Sequence, residues 1–155
     1  LVNRYGLRAP LATGLLLGAL GLALFARAPV SANFWLDVLP GMLLLGVAAG
    51  IAFNPLLLAA MSDVPESEAG LASGIVNTGF MMGGAFGLAV LASIAAAATA
   101  GATAGGAAEV AALAVGYRWA FGVGAVATLL AAAMALLLRQ PPGPQPVAHA
   151  AGHAA

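Results

Sequence analysis

From Asp63 to Leu91 the chain reads DVPESEAGLASGIVNTGFMMGGAFGLAVL, an acidic opening that runs into a long apolar stretch. Gly70, Gly74, Gly79, Gly83 and Gly87 recur in it every four or five residues, with Gly84 beside them. Inside a water-exposed helix each glycine costs about 1 kcal/mol against alanine. A soluble helix would carry six of them poorly. In lipid there is little hydrophobic drive between helices, and small residues four apart let two backbones approach closely. The stretch predicts a membrane helix that packs through its glycine face.

The remaining sequence points the same way. Hydrophobic residues make up 63% of the chain and charged ones 6%, where soluble domains carry about 25% charged residues. Too few charges are left to build a water-soluble surface. Five arginines balance five acids and there is no lysine, so no basic patch exists to hold a nucleic acid. The absence of cysteine removes disulfides, thiolate catalysis and cysteine-based metal sites. No nucleophile–base pair, metal cluster or phosphate loop is visible. The expectation is a non-enzymatic integral membrane protein without a cofactor or metal.

In chain order, Leu1 to Arg8 (LVNRYGLR) reads like the interior of a longer sequence, without a signal-peptide pattern. The expectation is the C-terminal piece of a larger protein, whose N-terminal part would be its first partner. Four spans follow, over about residues 9–26, 37–61, 66–97 and 119–138. Pro10 and Pro40 stand near the starts of the first two, where a helix tolerates proline. Gly14 and Gly18 lie four apart in the first span, as do Gly46 and Gly50 in the second. Asn54-Pro55 falls deep in the second span, where proline removes a backbone hydrogen bond. Asp63 and Glu66 have capping-box spacing and put negative charge at the positive end of the third helix.

Phe34-Trp35 and Tyr117-Arg118-Trp119 form clusters suited to the headgroup level. Between the last two spans, Thr99 to Ala112 is alanine, glycine and threonine with one acid, consistent with a loop or a frayed helix end, and is taken as a loop. Residues 140–155, rich in proline and then alanine, are expected to be disordered. His149 and His153 in that tail lack a third ligand and read as incidental. Four spans place both ends on one side, with Arg4, Arg8 and Arg139, against Arg27 and Arg118 on the other. The positive-inside rule then puts both termini in the cytoplasm of a plasma-membrane protein.

Four stretches carry a resemblance to a known family. Arg4-Tyr5-Gly6-Leu7-Arg8 resembles the tail of a D-R-x-G-R-R loop motif. Leu39-Pro40-Gly41-Met42 through Phe53-Asn54-Pro55-Leu56 is similar to an "LPG…G…F-x-P" helix. Val64-Pro65-Glu66, Gly70-Leu71-Ala72-Ser73-Gly74, Asn77-Thr78 and Gly83-Gly84-Ala85-Phe86-Gly87 resemble "VP…GLASG…NT…GGAxG", and Gly116 to Phe121 resembles "GYRxAF". In this order they resemble the last four helices of a major facilitator superfamily transporter, in the fourteen-helix drug:proton antiporter branch. The match runs from about Asn3 to Arg139. It departs at Asn3, where the loop motif has aspartate, and at Gly79-Phe80-Met81-Met82, where relatives have a more polar run.

The resemblance implies proton-coupled efflux of small amphipathic compounds such as drugs or antibiotics. It makes Arg4, Gly6 and Arg8 gating-loop residues, although ordinary positive-inside arginines would look the same. It places the second helix at the central cavity, the third between the two halves, and the first and fourth at the periphery. Phe53, Asn54, Pro55 and Asn77 are then candidate cavity-lining residues, or else bond a neighbouring helix as structural groups. Gly70, Gly74, Gly79, Gly83, Gly84 and Gly87 form the candidate interface. Phe80, Met81, Met82 and Phe86 offer an adaptable apolar surface, or simply face lipid. No ionisable side chain lies near the middle of a span, so the coupling carboxylate is expected in the N-terminal part. A self-contained four-helix scaffold or oligomeric pore, and a gene remnant without function, stand as alternatives.

Overall fold

The computed structural model describes residues 8–31, 33–61 and 64–137, built from four long helices. They are α1 (Arg8–Arg27), α2 (Leu39–Met61), α3 (Ala69–Ala104) and α4 (Glu109–Leu137). A single π-helical turn, Phe34–Val38, leads into α2, and a 3-10 turn, Glu66–Glu68, leads into α3. With these turns attached, all four are long and apolar enough to cross a membrane. The tail, residues 140–155, lies outside the described residues, as do Asp63 and Arg139.

Local chemistry sets the helix ends. Asn33 caps the turn before α2: its side-chain oxygen accepts from Trp35 N at 3.0 Å, and its own N–H donates to Asp37 Oδ2 at 2.7 Å. That reciprocal pair satisfies donors the helix leaves open. Before α3 there is no such cap; neither Pro65 nor Glu68 makes a side-chain capping bond. Pro55 lies within α2 and is buried, and its missing N–H leaves the Ile51 carbonyl without the usual partner.

The stretch from Thr99 to Ala112 is not the loop that its composition predicts. α3 runs on to Ala104 and α4 already starts at Glu109, so only residues 105–108 turn. The third helix thus ends beyond residue 97 and the fourth begins before 119. Alanine is the strongest helix former, and here the two helix ends support each other. The reversal is a glycine stop. Gly106 takes φ +85°, Gly106 N donates to Thr103 O at 2.9 Å, and Ala107 N donates to Ala102 O at 3.1 Å. This paired pattern closes the last carbonyls of a helix on a left-handed residue, which glycine adopts without a Cβ clash.

The helices pack side by side in the order α2, α1, α4, α3, while α2 and α3 touch only slightly. The buried apolar residues are Leu11, Ala12, Ala19, Ala48, Ala112, Ala120, Ala125, Ala132 and Ala135, nearly all alanine. Such an interior holds through close backbone approach, since lipid provides no hydrophobic drive between helices. Gly14 is one contact point: a Cβ there would lie 2.8 Å from Ala52 Cβ and 3.0 Å from Ala48 O. Phe25 forms a second. Its ring stacks on Phe121 of α4, centroids 5.3 Å apart, and covers Gly41 of α2, where a Cβ would sit 3.0 Å from the ring. Gly116 joins α4 to α3, against Ala95 and Thr99. Within this unit α1 and α4 are the inner pair, and α3 buries no residue at all.

Candidate functional site

The cavity and interface candidates fall on α2 and α3, the two ends of the helix row, which touch only slightly. Phe53 of α2 meets Phe80 of α3 edge to face, with centroids 6.0 Å apart and planes at 86°. Both rings stay more than half exposed. The contact sets the middle of α2 beside the first half of α3 and leaves the rest of the opening uncovered. Asn54 follows Phe53 in the chain and is exposed, whereas Pro55 is buried. Asn77 lies one helical turn before Phe80, also exposed, and the Thr78 hydroxyl donates to Gly74 O at 2.8 Å. Thr78 is thereby satisfied within its own helix; no side-chain hydrogen bond ties Asn54 or Asn77 to another described residue.

The glycine face of α3 is open along its length. A Cβ at Gly70, Gly74, Gly79, Gly83, Gly84 or Gly87 would find nothing within 4 Å. A groove of about 540 Å³ runs along its first half, lined by Gly70, Leu71, Gly74, Ile75, Thr78 and Gly79. Phe80, Met81, Met82 and Phe86 are exposed as well. The helix meets α4 in its far half, where Ala95 and Thr99 face Gly116, and Leu91 faces Gly124. Its near half presents glycines, apolar side chains and a few uncharged polar ones, with no charge from Ala69 onward.

Of the loop motif, Arg4 and Gly6 lie outside the described residues, and Arg8 is described only as the first residue of α1. Two features were missed in the sequence. The pairing of Phe53 with Phe80 had no signal, because contact across helices leaves no local pattern. Gly116 stands in the sequence as the start of the GYRxAF-like stretch, and its four-residue spacing from Ala112 and Ala120 marks a small-residue face.

The family model described as Major Facilitator Superfamily matches residues 1–154. The chain belongs to the Major Facilitator Superfamily. Members of the superfamily are transporters, not enzymes. With four apolar helices and no strand among the described residues, this superfamily member is an all-α, multi-pass membrane protein. It is 37% identical over 93 residues to the drug efflux pump JefA of Mycobacterium tuberculosis, 60% of this chain and 18% of the pump. It is 38% identical over 96 residues to the multidrug resistance protein Stp of the same organism, 61% of this chain and 17% of Stp. The cephamycin export protein CmcT of Amycolatopsis lactamdurans is 34% identical over 87 residues, 56% of this chain and 18% of CmcT. The chain thus spans under a fifth of the length of these relatives. No solved structure matches it.

Proposed function

We propose that this chain is the C-terminal four-helix part of a secondary-active exporter that moves small amphipathic compounds out of the cell in exchange for protons. The observation that carries the reading is the near half of α3, apolar, lined with glycine and unburied. Transporters of repeated halves work by rocking one half against the other around a site near the midplane. A helix at that junction needs a smooth face that slides without interlocking side chains. The names of the relatives support the substrate class: one is a drug efflux pump, another a multidrug resistance protein, a third a cephamycin exporter. In this reading α2 faces the central cavity with Phe53, Asn54 and Pro55, and Asn77 reaches it from α3. The glycines from Gly70 to Gly87 lie against the N-terminal part of the same transporter. Arg4, Gly6 and Arg8 belong to a cytoplasmic gating loop, and both ends of the chain are cytoplasmic in the plasma membrane.

Proton coupling needs an ionisable group at depth. None lies between Asp37 and Asp63, between Glu68 and Glu109, or between Arg118 and Arg139. The N-terminal part therefore supplies the coupling carboxylate. The test is drug uptake into inside-out vesicles carrying the full-length transporter, under an imposed pH gradient. Uptake of a cationic amphipathic dye is expected, to be abolished by a protonophore and absent with the four-helix chain alone. Dye movement indifferent to the protonophore would refute the coupling, and dye movement by the four-helix chain alone would refute the division of labour.

A further inference from the structure

We propose that the groove between the end of α1 and the outer face of α4 binds an anionic phospholipid, its phosphate on Arg118 and an acyl chain along Gly122, Val123 and Val126. The groove has a volume of about 610 Å³ and is lined by Ala26, Arg118, Trp119, Gly122, Val123 and Val126. Four observations converge on a lipid.

The first is depth. Ala26 is the second-last residue of α1, so the Arg118 end of the groove lies level with the end of a spanning helix. From Trp119 to the end of α4 at Leu137 there is no charge, and these 19 residues rise about 28 Å at ~1.5 Å per residue. That length nearly matches a hydrocarbon core of about 30 Å. Arg118 therefore stands at the boundary, and Gly122 to Val126 lie below it. Trp119 at the same level has the side chain that membrane interfaces favour.

The second is direction. At 3.6 residues per turn, Gly122 lies about 120° round the helix from Gly116, the residue that meets α3, and about 160° from Gly124, which meets Leu22 of α1 and Leu91 of α3. The groove is lined by α1 and α4 alone, with no residue of α2 or α3. The third is charge: Arg118 is exposed, and its side chain makes no hydrogen bond or ion pair with any described residue. Its planar guanidinium matches two phosphate oxygens at once, and Arg27, next to Ala26 in the chain, adds a second positive charge at this end. The fourth is shape. A Cβ at Gly122 would meet nothing within 4 Å, so glycine is not required there by packing against the other helices and leaves a channel open beneath the cation. An arginine at the boundary above an apolar channel pairs with a phosphate while the acyl chain stays in hydrocarbon.

The test is lipid retention by the full-length protein in native mass spectrometry, which is independent of transport. It is titrated with phosphatidylglycerol, with phosphatidylcholine of the same acyl chains, and with soluble glycerol phosphate. The wild type is expected to retain phosphatidylglycerol over phosphatidylcholine and to release glycerol phosphate. Arg118→Gln should lower that preference about fivefold, the effect of one basic residue at a membrane surface, and Arg118→Lys should keep most of it. Gly122→Leu should weaken retention of both lipids, because its side chain fills the channel while packing against no neighbour. An unchanged preference in Arg118→Gln overturns the headgroup assignment. Undiminished retention in Gly122→Leu overturns the acyl groove, and retention of glycerol phosphate as firm as that of the lipid does the same.

Discussion

A methyl group added at Gly116 would run into the Thr99 hydroxyl and come within 2.5 Å of the Ala95 carbonyl oxygen. The carbonyl belongs to helical backbone, so it gives way only if α3 and α4 move apart. Gly116→Ala should therefore destabilise the protein by about 1–3 kcal/mol, the usual cost of overpacking a tight interior. Gly122→Ala, on the same helix but with open space around it, should be neutral or slightly stabilising through helix propensity. The temperature at which detergent-solubilised protein loses its monodisperse peak checks both. Equal melting of the two variants would mean that α3 and α4 do not meet at Gly116. The two glycines look alike in the sequence. What separates them is the neighbour each one faces, and helical periodicity says only which residues share a face.

At the scale of elements, hydropathy made the four spans legible because lipid demands a long uncharged run from each helix. The reversal between α3 and α4 was not legible. Its alanines and glycines are equally consistent with loop and with helix, and the choice is made by the contact at Gly116 and the stop at Gly106. If Arg118 marks the membrane boundary, the ends of α3 and α4 project beyond it as a helical hairpin. Under the proposed orientation that hairpin is extracellular. Single cysteines at Ser67 and Ala104, in a chain without any of its own, should then behave oppositely toward an impermeant thiol reagent. Ala104→Cys should label in intact cells, and Ser67→Cys only after permeabilisation. The reverse pattern would invert the topology.

For the whole molecule, the decisive fact is how unevenly the chain is covered. α1 and α4 hold the interior, while α3 buries nothing, and a Cβ on any of its six face glycines would find nothing within 4 Å. The glycine spacing predicts a face suited to close approach but does not say what approaches it, and no described residue lies within 4 Å of a Cβ placed there. In the proposed reading the same limit applies to Phe53, Asn54 and Asn77, which are exposed among the described residues. If another part of the transporter covers the glycine face, Gly83 and Gly87 sit at the junction, one turn apart. Leucine at either position would hold the facing backbone off by the bulk of an isobutyl group. Insertion itself should not suffer, because leucine favours the membrane by ~0.3–0.6 kcal/mol. Nor should the packing of these four helices suffer, since neither site touches them. Gly83→Leu and Gly87→Leu in the full-length transporter should thus retain membrane abundance and lose most efflux, whereas Gly122→Leu should transport nearly normally. Normal efflux from both α3 variants would mean that the glycine face looks into lipid, and the sliding role of α3 would have to be withdrawn.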